Sequence, residues 1–297
     1  MPATLTPLRY PGGKTKYTRL FTDIISMNNL EHCTFVEVFA GGAGGAISLL
    51  LKGHVNSLLL NDLDVTIYAF WKSVKESPEA FIKLIRSTRV SMTEWRRQKA
   101  IHDSKDTSDM LALGFSTFYL NRCNHSGILG ARPIGGMKQN GAYKINSRYN
   151  KITSIAKIEA IAQHADSIEV FNLDGVDFLK RLAREYHNRE CLIYFDPPYY
   201  QKGPALYLNH FSHQDHEALR DNILECPFPW LLSYDNHENI VDMYSDQDCR
   251  LYRNTIRHTI TGNTRAEELI ISKLIIPDYL RAFEWHDVRR KRWVQQE

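Results

Sequence analysis

Apolar residues in this chain fall into short runs at positions 34–39, 57–60, 168–173, 191–195 and 230–233. Most are separated by stretches with helical spacing, at 43–51, 176–186 and 214–224. Short buried runs alternating with amphipathic helices predict a parallel, three-layer α/β sheet. The order breaks once, between residues 77 and 150. Helices are expected there at 93–102 and 109–121. Residues 126–149 carry Gly-Gly and Asn-Gly turn signals between short polar segments, which predicts an extended hairpin. Later, 250–260 and 267–276 read as paired strands around 261–266, closing one edge of the sheet. The expected organisation is a core of residues 1–76 and 151–297 with an inserted lobe at 77–150.

Composition narrows the class. The 297 residues suffice for a sizeable core, and 43% hydrophobic with 24% charged content is ordinary for a globular protein. No apolar run is long enough to cross a membrane, and the N-terminal residues lack a leader's charged and apolar regions. Together these predict a cytoplasmic protein with no membrane contact. Cys33, Cys123, Cys191, Cys226 and Cys249 are scattered without C-x-x-C spacing, so neither a disulfide frame nor a zinc site is expected. His210, His213 and His216 have no supporting carboxylate pattern and read as a polar helix start, so no metal is expected. The net charge of +3 is unevenly spread: residues 86–150 hold eleven Lys/Arg against four Asp/Glu, giving +7 there and −4 elsewhere. A basic insert on a mildly acidic core suits a polyanion. The basic tail with Trp285, Trp293 and residues 289–292 is a further candidate phosphate contact.

Two places carry chemistry. Residues 35–45, FVEVFAGGAGG, read as a strand, a glycine turn and a helix start. Glycine lets the backbone approach a ligand closely. The spacing matches neither the dinucleotide nor the P-loop pattern. The next strand ends at Asn61-Asp62, where an acid is placed to hold both hydroxyls of a ribose. A nucleoside cofactor follows. Glu37 near the turn suits a ligand bearing an ammonium or sulfonium group, and a helix-capping carboxylate is its other use.

The second place is Asp196-Pro197-Pro198-Tyr199, at the carboxyl end of the buried run 191–195. Two prolines fix the backbone and remove two N–H donors. The Asp196 carboxylate and a proline carbonyl then offer two acceptors on one rigid turn, matching the two donors of an exocyclic amine. Tyr199 offers a face on which a base can stack. A base inside a duplex cannot reach such a pocket without being flipped out.

These motifs resemble the D12 class of DNA adenine N6-methyltransferases, in particular the phage and mobile-element branch of its alpha group. The likeness runs from residues 8–14 (LRYPGGK) through 37–45, 61–64, 118–130 (FYLNRCNHSGILG), 172–174 and 196–199 to 232–236 (LSYDN). It implies a Rossmann-like fold dependent on S-adenosylmethionine, with a helical-plus-hairpin recognition lobe and double-stranded DNA as partner. It also implies roles for individual residues. Tyr10, Lys14, Glu37, Phe39, Ala40, Gly41, Gly42, Asp62, Asp174 and Asp196 would border the cofactor. Asp196, Pro197, Pro198 and Tyr199 would hold the flipped adenine. Lys14, Asn121, Arg122, Asn124, Ser126, Arg132, Lys138, Lys144 and Arg148 would face DNA. Ala43 stands where the family's glycine pattern has its last glycine, which predicts a shifted turn. A cognate restriction endonuclease is a candidate partner on family grounds alone.

Other readings remain beside this one. A serine in place of Asp196 would favour cytosine N4, and an asparagine is shared with protein-glutamine methyltransferases. RNA needs no flipping to expose its bases. A catalytically silent DNA-binding relative would not need Lys14, Asp62 and Asp196 together.

Overall fold

The computed structural model describes residues 4–9, 13–200, 211–258 and 264–282, except for the side chains of 255–258, 264–266 and 281. Tyr10, His210 and the tail with Trp285 and Trp293 therefore lie outside the described residues. The chain divides into two compact units. One comprises Met1–Thr22 and His32–Phe178, the other Asp23–Glu31 and Leu179–Glu297.

The first unit holds three parallel strands, β1 (Thr34–Glu37), β2 (Ser57–Asn61) and β3 (Ile168–Phe171), in the order β3-β2-β1. Phe35 faces Leu58 across the β1–β2 ladder, and Leu60 faces Val170 across β2–β3. β1 is buried throughout, as parallel strands covered on both faces are. After α1 (Thr18–Met27), helix α2 (Gly44–Leu51) follows β1, and α3 (Val65–Glu76) follows β2. Asp64 caps α3 by accepting from the Thr66 backbone N–H at 2.9 Å.

Residues 77–150 belong to this unit. They form α4 (Pro78–Ser87), α5 (Met92–Ser104) and α6 (Met110–Cys123), and α7 (Lys151–Ala162) leads back to β3. The helices expected at 93–102 and 109–121 are present, while α4 and α7 were not foreseen. Gly114 lets α6 lie directly against α3, because a Cβ there would collide with the Ala69 carbonyl. Phe81 makes edge contacts with Phe70 at 5.7 Å and Phe118 at 5.8 Å, and Phe118 reaches Tyr149 at 5.6 Å. These rings join the insert to α3 through Phe70.

The hairpin expected at 126–149 is absent. The segment is a series of turns with one isolated bridge, Asn124 to Pro133. Gln139 explains why. Its amide donates to the carbonyls of Ile134 and Gly136, both at 2.7 Å, and accepts from the Ile145 N–H at 2.9 Å. One side chain thus satisfies backbone groups that a ladder would otherwise pair.

In the second unit, β4 (Cys191–Phe195) pairs in parallel with β5 (Trp230–Asp235), Tyr194 facing Leu231. Next to β5 lies β7 (Thr264–Ser272), antiparallel to it and to β6 (Arg250–His258), and β8 (Arg281–Ala282) extends the edge. The strand order is β4-β5-β7-β6-β8. The late strand pair read from the sequence is present, with β7 beginning three residues earlier than expected. Helix α8 (Gly175–Glu185) begins in the first unit and ends in the second, and α9 (His213–Leu224) and α10 (Glu238–Ser245) complete the alternation. The fold is of the Rossmann-like α/β class, which carries its chemistry on loops at the carboxyl ends of the strands.

Candidate active site

In the first unit, the loops after β1, β2 and β3 are tied together by Asn61. Its side chain, buried at the end of β2, donates to the carbonyls of Val38 and Leu173 and accepts from the Leu173 N–H, each at 3.0 Å. Asn172 adds bonds to the carbonyls of Asp62 and Leu63. Both asparagines lie within the motifs at 61–64 and 172–174, and nothing local in the sequence marks them as ties between loops.

The glycine turn is held from several sides. Trp71 Nε1 donates to the Gly41 carbonyl at 2.9 Å, and the Thr6 hydroxyl donates to that of Gly42 at 2.6 Å. Gly41 has φ +46° and Ala43 has φ +43°, so the alanine itself takes the left-handed conformation that glycine favours. Phe39 lies against Gly175, where a Cβ would come within 3.1 Å of its ring. Lys14 is buried, its Nζ 5.0 Å from the centre of the Tyr17 ring.

Three acids occupy this region in different ways. Glu37 is buried and accepts from the Ala46 N–H at 3.1 Å, where the first-turn amides of α2, which have no partner within the helix, favour a carboxylate. Asp62 accepts from the Gly41 N–H through one oxygen at 2.8 Å and from the Asp64 N–H through the other at 2.9 Å. Burial pushes its carboxyl up to about 7, against the lowering effect of those two donors. Asp174 is exposed and caps α8 by accepting from the Val176 N–H.

The segment expected to face DNA divides in two. Asn121 is buried; it accepts from the Arg9 N–H at 2.7 Å and donates to the carbonyls of Arg9 and Gly127. Asn124, also buried, accepts from Trp95 Nε1 at 2.7 Å and donates to the carbonyls of Ile128 and Leu129. Both amide groups have given their two N–H bonds to the protein's own backbone, so these asparagines brace the segment and have no donor left for DNA. Arg132, Lys138, Lys144 and Arg148 are exposed, and Ser126 is half-buried with a left-handed backbone. Arg122 is half-buried, and its guanidinium is pushed down to about 10, chiefly by burial and then by Arg9 and Arg148. Arg9 is lowered by burial and by Arg148. One nitrogen of each, Arg9 Nη1 and Arg122 Nε, is buried without a hydrogen-bond partner.

In the second unit, the loop after β4 is gripped residue by residue. Ser233 Oγ donates to Asp196 Oδ1 at 2.8 Å and is 2.7 Å from the Tyr194 hydroxyl. The Tyr199 hydroxyl donates to Glu268. The Tyr200 N–H donates to Asp235 Oδ1 at 2.9 Å. The Tyr200 hydroxyl accepts from Asn239 at 2.6 Å and lies 2.9 Å from His213 Nδ1. His216 is buried, 2.8 Å from the Tyr234 hydroxyl, and burial pushes its imidazole down to about 4. Among the described residues no cluster of three or more His, Cys, Asp or Glu is arranged to hold a metal, and no helix is long and apolar enough to cross a membrane.

The first unit thus carries a glycine turn after β1 and an acid after β2, and the second carries Asp-Pro-Pro-Tyr after β4. Residues 10–259 match the D12 class N6 adenine-specific DNA methyltransferase family, and the chain belongs to it. The modification methylase StsI of Streptococcus sanguinis is 26% identical over 207 residues, 65% of this chain and 28% of that protein. The chain thus spans well under half the length of that relative. The type II methyltransferase M.MjaIII of Methanocaldococcus jannaschii is 23% identical over 205 residues, 65% of this chain and 68% of that protein. The solved rRNA methyltransferase aviRa of Streptomyces viridochromogenes overlaps 89% of this chain and 86% of its own at 9% identity. Its TM-score of 0.41 is too low to bear on fold or function.

Proposed function

We propose that this chain transfers a methyl group from S-adenosylmethionine to the exocyclic N6 of an adenine flipped out of duplex DNA. The observation that carries the reading is the Asp196 carboxylate at the end of β4, held by Ser233 as an oriented acceptor. Asp196 and the Pro197 carbonyl would accept the two N6 protons, which favours a pyramidal nitrogen with an available lone pair. Pro198 stiffens the turn, and Tyr199 stacks on the base.

The residues of the first unit fit the cofactor. Each Asp62 oxygen takes one backbone N–H, and a carboxylate oxygen has a second lone pair for a ribose hydroxyl. Glu37 supplies negative charge near the methionine amine and sulfonium. Lys14 borders that end, Phe39, Ala40, Gly41 and Gly42 form the wall, and exposed Asp174 is an acceptor for the cofactor's adenine amine. When bound, S-adenosylmethionine supplies an electrophilic methyl group.

Residues 77–150 serve in this reading as the recognition lobe. Arg9 and Arg122 crowd together, each with an unpartnered nitrogen, and Arg148 adds further positive charge. A phosphate nearby would relieve the repulsion. Arg132, Lys138 and Lys144 extend the positive surface.

The test is transfer of tritium from labelled cofactor to duplex DNA lacking adenine methylation, followed by nucleoside analysis. Label in N6-methyladenine, lost in Asp196→Ala with cofactor affinity kept, is expected. No transfer with intact cofactor binding would replace the reading with a binding module. Label in cytosine, or a preference for RNA, would overturn the substrate.

A further inference from the structure

Glu268 is one of the few ionisable side chains buried inside the sheet, 2% exposed on β7 beside Leu269, Ile270 and Ile271. A carboxylate among such neighbours is costly to bury unless it is hydrogen-bonded. Its partner is the hydroxyl of Tyr199, 69 residues earlier. On the adjacent strand Asp235 is the cross-strand neighbour of Glu268, and Ser233 that of Ile270. Directly opposed residues project to the same face of a sheet, as do residues two apart. Ser233, Asp235 and Glu268 therefore rise from one face of the β5–β7 ladder. They hold, in turn, Asp196 by its carboxylate, Tyr200 by its N–H and Tyr199 by its hydroxyl.

We propose that Glu268 is a positioning residue for the target base: through the Tyr199 hydroxyl it fixes the ring on which the adenine stacks. This inference rests on the reading of Tyr199 as that stacking surface. Stacking rewards a ring already parallel to the incoming base, and a tyrosine on a loop has two side-chain torsions to lose. A bond from its far end to a carboxylate on a strand removes that freedom before DNA arrives. Asp235 restrains the backbone next to it, so both ends of the ring are held. The antiparallel insertion of β7 beside β5 brings the acid to this position.

The experiment measures kcat/KM for unmethylated duplex DNA at saturating cofactor, with cofactor affinity and melting temperature as controls. Glu268→Ala is expected to lose about tenfold or more in kcat/KM for DNA, with cofactor affinity unchanged. Glu268→Gln, which still accepts from the hydroxyl, is expected to recover most of that loss. Tyr199→Phe should match Glu268→Ala, and adding Glu268→Ala to it should cost nothing further. Fully active Tyr199→Phe overturns the proposal even if Glu268→Ala fails to fold. Equal losses from Glu268→Ala with and without the hydroxyl also overturn it. A severe loss in Tyr199→Ala beside normal activity in Glu268→Ala would sink this inference alone. Normal activity in Tyr199→Ala would sink the stacking reading on which it rests.

Discussion

Ser233 donates a hydrogen bond to Oδ1 of Asp196 at 2.8 Å, from β5 to the loop that follows β4. With its only proton spent there, the serine oxygen is left to accept from the buried Tyr194 hydroxyl at 2.7 Å. The relay runs one way, from Tyr194 through Ser233 to Asp196, and aims the carboxylate.

Ser233→Ala should therefore impair the chemical step. Loss of a hydrogen bond to a charged group corresponds to roughly ten- to a hundredfold in kcat. Cofactor affinity should change little, since Ser233 reaches the residues assigned to the cofactor only through Asp196. Single-turnover transfer beside equilibrium cofactor binding separates the two. Parallel loss of both would make Ser233 a general support of the fold.

Asp62 gives a prediction in pH. Its carboxyl is held near 7 by burial, far above the ordinary 3.8. Two ribose hydroxyls donate to the ionised form and stabilise it, so cofactor affinity should rise with pH and level off above about 7. Asp62→Asn should bind weakly and without that pH dependence. Stability moves the opposite way. The unfolded chain gives up this proton at a lower pH than the native state, so the native state is progressively penalised as pH rises. The melting temperature of Asp62→Asn relative to the native protein should improve between about pH 5 and about pH 8. A constant difference would refute the buried-acid assignment.

Asn121 should behave as a brace. Asn121→Ala removes its three bonds to Arg9 and Gly127. The expected cost is about 2–4 kcal/mol of stability, seen as a lower denaturation midpoint. The slope of log DNA affinity against log salt should be unchanged, because no phosphate contact is lost. A shallower slope at normal stability would restore Asn121 to the DNA-facing set.

The contrast between Asn121 and Asp196 shows what the sequence made legible. The strand cores and the acid-proline-proline-aromatic loop are local, and the rule that α/β sites lie at the carboxyl ends of strands placed Asp62 and Asp196 correctly on their loops. Bonds between distant residues were not legible. Nothing near Glu268 announces Tyr199, and nothing in residues 118–130 says that Asn121 and Asn124 turn inward to satisfy backbone. The turn signals at 126–149 were real, but they specified turns without a ladder, since the Gln139 amide takes the bonds that strands would have made. Glu37 had two readings, ligand or helix cap; its bond to the Ala46 N–H shows the second, which leaves room for the first.

Arg148 should trade stability against binding. It is exposed, and its charge presses on both Arg9 and Arg122, the latter already pushed down to about 10. Arg148→Gln removes that repulsion and should stabilise the free protein by a few tenths to about 1 kcal/mol, the scale of surface charge interactions. If Arg148 contacts a phosphate, the same change should weaken DNA binding at all sequences and lower the salt slope by about one. Denaturation and a salt series on the same variant test both halves. A variant that is less stable, with an unaltered slope, would place Arg148 among the structural residues of the insert and move the phosphate contacts to Arg132, Lys138 and Lys144.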